Sequence, residues 1–161
     1  MSCWFDKISY EQFKKDFPQV YGENIYNDIK LPCRATTGSA GYDFFAPYDF
    51  DIDPGRDLKV PTGIRIYLDK TQFLMCVPKS GLGAKFGLQL MNTVGIVDSD
   101  YYYSDNEGHI FAVLCNAGTH GRTIHINKGQ AFIQGIILPF NTVCNDKVTE
   151  KRNGGFGSTE K

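Results

Sequence analysis

LMNTVGIVDSDYYYSDNEGHI, residues Leu90 to Ile110, is the most informative segment of this sequence. Apolar residues lead into Gly95, Ile96 and Val97, then Asp98 and Asp100, and then Tyr101, Tyr102 and Tyr103. Apolar residues running into Gly and Asp predict a strand, a tight turn and a return strand. Such a hairpin sets a carboxylate and an aromatic ring at its tip, where one small ligand meets both. A general base needs a fixed, exposed carboxylate near an electrophile, and a hairpin tip offers that.

Downstream and upstream the chain keeps the same character. Ile64, Ile66 and Leu68 alternate with Arg65 and Tyr67, as in a half-buried strand. Short apolar runs follow at Phe73 to Val77, Ile110 to Cys115, Arg122 to Ile126 and Phe132 to Phe140. Turn signals separate them at Asp53-Pro54-Gly55, Val60-Pro61-Thr62-Gly63 and Lys128-Gly129. Many short strands without strand–helix alternation predict an all-β barrel or sandwich. Near the start, Ser9 and Gln12 form a capping-box pattern before Tyr10, Phe13 and Phe17, so a short helix runs from Tyr10 to Phe17 and stops at Pro18. Tyr21 to Lys30 is polar and reads as a linking or loosely packed segment. Residues 1–30 form an N-terminal extension and 147–161 a C-terminal arm on one domain spanning 1–161. The Gly-rich ending, Asn153 to Thr159, has the composition of a disordered tail around Phe156.

Bulk properties narrow the function. With 161 residues, one domain buries roughly 70% of its unfolded surface. A net charge of −1 excludes a broadly basic surface, and with it non-specific binding to duplex nucleic acid. An anionic ligand must therefore be held by a few placed cations, by backbone N–H groups or by a metal. The five cysteines, Cys3, Cys33, Cys76, Cys115 and Cys144, include no CxxC and read as free thiols of a reducing cytosol. Charged residues near the start take the place of a signal peptide, and no apolar run reaches membrane-spanning length, so a soluble cytosolic chain is expected. His109, His120 and His125 lack metal-ligand spacing and read as surface or packing residues.

Pro78-Lys79-Ser80-Gly81-Leu82-Gly83 follows a strand with two glycines, a hydroxyl and a cation. Backbone N–H groups in such a loop point into one cavity, as phosphate-binding loops require, though a plain turn has the same composition. It is neither a P-loop nor a dinucleotide fingerprint. Asp43 sits beside Gly41 at a strand start, where a carboxylate serves as a hydrated turn residue or as a magnesium ligand through water.

Taken together, these segments resemble the five motifs of the homotrimeric, all-β dUTPase family, with a flavour of its Gram-positive bacterial and phage members. The motifs are Ala40-Gly41-Tyr42-Asp43; Pro78 to Leu82; Gly95 to Tyr101; Lys128-Gly129 through Gln134 to Pro139; and Gly154 to Thr159. The resemblance implies a distorted β-barrel or jelly roll, a homotrimer with shared sites, and Mg2+-dependent hydrolysis of dUTP to dUMP and pyrophosphate. It implies Asp98 as the base that activates water against the α-phosphorus, and Tyr101 as the ring against deoxyribose. Asn92 and Gly95 would read the uracil edge, and Lys79, Ser80, Gly81, Gln134 and Arg152 would contact phosphates. Phe156 would stack on the base, and Asp43 would hold magnesium through water. The alternatives are a dCTP deaminase of the same fold, or a regulatory protein that binds a partner protein. The sequence departs from the family at Lys79, Gln130, Ala131 and Glu160-Lys161. It also carries an apparent insertion, Tyr102 to Glu107, where a regulatory protein partner would bind.

Overall fold

The computed structural model describes residues 2–17, 23–150 and 152. Most of the regular structure is strand, in four antiparallel sheets that do not close into a barrel among the described residues. The largest sheet has the order β2 (Tyr42–Phe45), β11 (Ala131–Pro139), β6 (Gln72–Pro78), β8 (Gly95–Asp98). A second joins β4 (Asp57–Pro61), β9 (Phe111–Asn116) and β7 (Leu88–Leu90). Two strand pairs complete the set: β3 (Phe50–Ile52) with β10 (Ile124–Ile126), and β1 (Trp4–Lys7) with β5 (Ile64–Tyr67). The alternation read from Ile64 and Ile66 is the buried face of β5, and Phe44, Leu74, Leu114, Phe132 and Ile133 carry the core between the sheets.

Three short helices decorate the sheets. The first, α1 (Tyr10–Asp16), starts where the capping pattern placed it, with the Ser9 side chain accepting from the Gln12 N–H. The expected loose segment at Tyr21 to Lys30 is instead partly helical, as α2 (Glu23–Asp28). Its Tyr26 donates to the Ile8 carbonyl at 2.8 Å and packs edge-on against Phe13, so tertiary contacts order a polar stretch with little signal of its own. The third, α3 (Ser80–Phe86), replaces the loop expected after Pro78.

The hairpin expected within Leu90 to Ile110 needs correction. β7 and β8 do not pair with each other: β7 pairs with β9, and β8 pairs with the edge of β6. Between them the chain turns tightly, with the Thr93 N–H on the Leu90 carbonyl at 2.9 Å and Thr93 in the left-handed region at φ 67°. Asp98 therefore ends an edge strand and does not sit at a hairpin tip. A 3-10 turn, Ser99–Tyr103, carries the chain away from it.

Candidate active site

β8 and the turn before it build one wall of a cavity of about 490 Å³. Asn92, Gly95, Asp98 and Tyr101 line it, over an apolar floor that includes Leu90, Ile110 and Ile133. Asp98 is the last residue of β8, opposite Phe73 of β6, and its side chain is 46% exposed. Arg152 reaches the same cavity from the C-terminal segment. Its guanidinium is hydrogen-bonded to the Asp98 carboxylate, and its Nε donates to Asp100 Oδ1 at 3.0 Å. Arg152 thus spans the two carboxylates at the edge of the cavity.

Tyr101 is held more firmly than its neighbours. The 3-10 turn buries its ring, leaving 7% exposed. Its hydroxyl donates to the His109 carbonyl at 2.7 Å and accepts from Asn106 Nδ2 at 2.8 Å. Burial pushes the phenol above its ordinary range, so it stays a neutral donor.

A second cluster forms on the far strands of the same sheet. Gln134 of β11 lies opposite Asp43 of β2 on one side and Val77 of β6 on the other. Lys79, where β6 gives way to α3, extends Nζ to Asp43 Oδ1 at 2.7 Å. Its own N–H is pinned to the Phe132 carbonyl at 3.1 Å. Gly41 leaves room for the Gln134 amide: a Cβ there would stand 2.3 Å from Gln134 Oε1 and push that side chain aside. Ser80 and Gly81 open α3, and a Cβ on Gly81 would meet nothing within 4 Å, so that stretch of backbone is open to a ligand.

The structure thus gathers the expected residues in two groups. Asn92, Gly95, Asp98, Tyr101 and Arg152 share one cavity, and Asp43, Lys79, Gln134, Ser80 and Gly81 lie outside its lining. Phe156 lies outside the described residues. Among the described residues no three His, Cys, Asp or Glu side chains gather as a metal cage. Asp43 already faces one cation in Lys79, so a divalent ion would have to draw further ligands from water or substrate.

Several residues that support the site went unread in the sequence. Asp100, given no role beside Asp98, is a partner of Arg152. His109, taken as a surface or packing residue, is wholly buried and polar, between Asp16 and the Gly63 backbone. Its signal was position: a histidine just after Gly108, opening an apolar strand. The Tyr102 to Glu107 segment is largely engaged within the chain. The Tyr102 hydroxyl donates to Asp6 at 3.0 Å, Glu107 binds Ser9, and Asn106 binds Tyr101, leaving Tyr103 outside at 73% exposure. No described helix is long and apolar enough to cross a membrane.

With that geometry in hand, the kinship of the chain follows from its likenesses to known proteins. Residues 27–160 match the dUTPase family model. A deoxyuridine 5′-triphosphate nucleotidohydrolase of Lactococcus lactis is 40% identical over 134 residues, covering 81% of this chain and 88% of the relative. The crystal structure of dUTPase from Streptococcus mutans superposes with a TM-score of 0.67 at 31% identity, over 86% of this chain and 97% of that one. A dUTPase mutant from phage phi11 of S. aureus, described as coordinating a structural Mg(II) ion, shares the fold at a TM-score of 0.65 and 17% identity, over 93% and 98% of the two chains. By both sequence and fold, the chain belongs to the dUTPase family.

Proposed function

We propose that this protein hydrolyses dUTP to dUMP and pyrophosphate. The observation that carries this reading is one cavity holding a solvent-facing carboxylate, a fixed tyrosine ring and a polar turn, in a chain of the dUTPase family. Asp98, at a strand end and exposed, takes a proton from water as that water attacks the α-phosphorus. Tyr101 lies flat against the sugar, where a 2′-hydroxyl would find no room. Asn92 and the backbone at Gly95 meet the edge of uracil. The tight turn at Thr93 excludes the additional methyl of thymine.

Lys79, Ser80, Gly81 and Gln134 contact phosphate oxygens, with Arg152 recruited from its carboxylates as the triphosphate arrives. Phe156 stacks on the base. Magnesium, held by Asp43 through water together with phosphate oxygens, would spread the charge of the triphosphate. The separation of the two residue groups in one chain supports a homotrimer, in which the Lys79 group of one subunit completes the Asp98 cavity of another. Pyrophosphate release from dUTP, dTTP, dCTP and UTP, measured with and without magnesium, tests the reading: dUTP should be turned over far faster than the other three. Equal rates would refute it, and ammonia release from dCTP would point to a deaminase. A protein partner at Tyr102 to Glu107 would have Tyr103 as its principal exposed contact.

A further inference from the structure

Residues 4–17 lie outside the span of the family model, yet they touch the segment that carries Tyr101 at three places. The innermost contact is partly buried, with the His109 ring itself unexposed. Asp16, at the end of α1, accepts from His109 Nδ1 at 2.6 Å and from Gln12 Nε2 at 2.7 Å. His109 Nε2 accepts the Gly63 N–H at 2.8 Å. An imidazole nitrogen that accepts an N–H carries a lone pair, so the ring proton resides on Nδ1 and is donated to Asp16. Phe17 stacks on the imidazole at 6.0 Å and Phe111 crosses it at 4.2 Å. The ring can neither turn nor slide. The carbonyl of this immobilised residue is the acceptor of the Tyr101 hydroxyl.

The second contact is the cap of α1. In a capping box the residue three positions into the helix returns to the cap N–H. Here Gln12 is occupied with Asp16, and Glu107 takes that place, with Oε2 on the Ser9 N–H at 2.7 Å and Oε1 on the Ser9 hydroxyl at 2.6 Å. Glu107 adopts the left-handed backbone at φ 59°, and Gly108 follows at φ 72° with no space for a Cβ, which would lie 2.7 Å from the Tyr102 Cα. The third contact is the Tyr102 hydroxyl on Asp6, whose strand partner Arg65 lies over the Tyr102 ring at 4.4 Å.

We infer that the N-terminal β1–α1 unit, acting through Asp16–His109 and Ser9–Glu107, sets the position of Tyr101 and so sharpens discrimination between deoxyribose and ribose. These are positioning residues that never touch substrate. The inference rests on the reading of Tyr101 as the ring against the sugar. If it holds, loosening the unit moves the ring by a fraction of an ångström, which weakens dUTP binding and opens room for a 2′-hydroxyl.

The test compares kcat and KM for dUTP and UTP in the intact trimer, with thermal unfolding followed in parallel. Asp16→Ala should narrow the dUTP/UTP ratio of kcat/KM about tenfold, with most of the change in KM. Asp16→Asn, which keeps an acceptor for both donors, should restore it. Glu107→Ala should narrow it by a smaller factor, about threefold, and decides the matter if Asp16→Ala does not fold. Tyr101→Ala separates the two layers of the argument. If it leaves the ratio unchanged, the sugar reading of Tyr101 fails. If it narrows the ratio while Asp16→Ala and Glu107→Ala do not, the positioning inference alone is overturned. A loss of melting temperature with an unchanged ratio would also overturn it, by reducing the unit to a purely structural role.

Discussion

Acidifying the protein from pH 7 to 5.5 should weaken its folded state through one residue, His109. Its ring has no solvent exposure, and burial holds its pKa below the ordinary 6.5 against the opposing pull of Asp16; Lys59 adds to the lowering and Glu107 opposes it. Asp16 has its own balance: burial pushes the carboxyl up, while hydrogen bonds from His109 and Gln12 outweigh that and hold it down. The buried pair is therefore a neutral imidazole on a carboxylate. As pH falls below about 6.5, the unfolded chain takes up a proton at this histidine more readily than the folded chain, so stability falls with pH. A histidine that stayed wholly neutral in the folded chain would lose about 1 kcal/mol between pH 7 and 5.5, so this one proton can lower Tm by at most about 2–4 °C for a chain of this size. The carboxylates of Asp16 and Glu107 are also lowered, and their losses begin only at more acid pH. The assay is thermal unfolding at fixed protomer concentration across that range, for the protein and for His109→Phe, which keeps a ring between Phe17 and Phe111. The difference between the two slopes isolates His109 from the other histidines. Parallel slopes would refute the argument, as would a protein that gains stability on acidification.

Asp98→Asn should keep nucleotide binding, read by calorimetry with a non-hydrolysable analogue, and lose at least about 100-fold in kcat; unchanged turnover would remove Asp98 from its role. Mixing Asp98→Asn subunits with Lys79→Ala subunits should restore part of the activity that neither possesses alone, because a mixed trimer contains sites free of both changes. No recovery after exchange, verified by mass, would argue for sites built within one chain. Gly108→Ala should cost about 2–3 kcal/mol in denaturant unfolding, since it forces a side chain into a left-handed conformation and against Tyr102. Leu74→Ala, at a position of β6 with no exposure, should cost about 2–5 kcal/mol, and a loss below 1 would mean the core refills the space.

The sequence made the strands of the core legible because their apolar residues are periodic: β5, β6, β9, β10 and β11 each overlap a run read from it, with β6, β9 and β11 reaching one residue beyond. The short elements escaped for identifiable reasons. Trp4–Lys7 is too brief to show a period, and its strand pairing is set by Tyr67 and Ile66 across the sheet, with Trp4 stacked on Tyr67 at 4.0 Å. Ser80–Phe86 contains two glycines, which argue against a helix until Lys79 and Gly87 fix its ends. The pairing of β7 and β8 was misread because the local pattern of a hairpin is the same whether its strands bond to each other or to different partners. The cavity residues were recognisable as a pattern of types. Their division into two groups came only with the family resemblance, because which residues share a wall depends on strand order, and no spacing in the sequence carries that.

The contact between Asp16 and His109 also has a consequence in time. The two residues are 93 positions apart, so during synthesis α1 leaves the ribosome long before its partner exists. At typical elongation rates the interval is roughly 5–20 s. Throughout it Phe13 and Phe17, wholly buried at the end, have nothing from the 109–111 segment to cover them. The β1–α1 unit thus waits for part of its partner surface, and its contact with His109 cannot form before a tyrosine some 85 residues further on has been made.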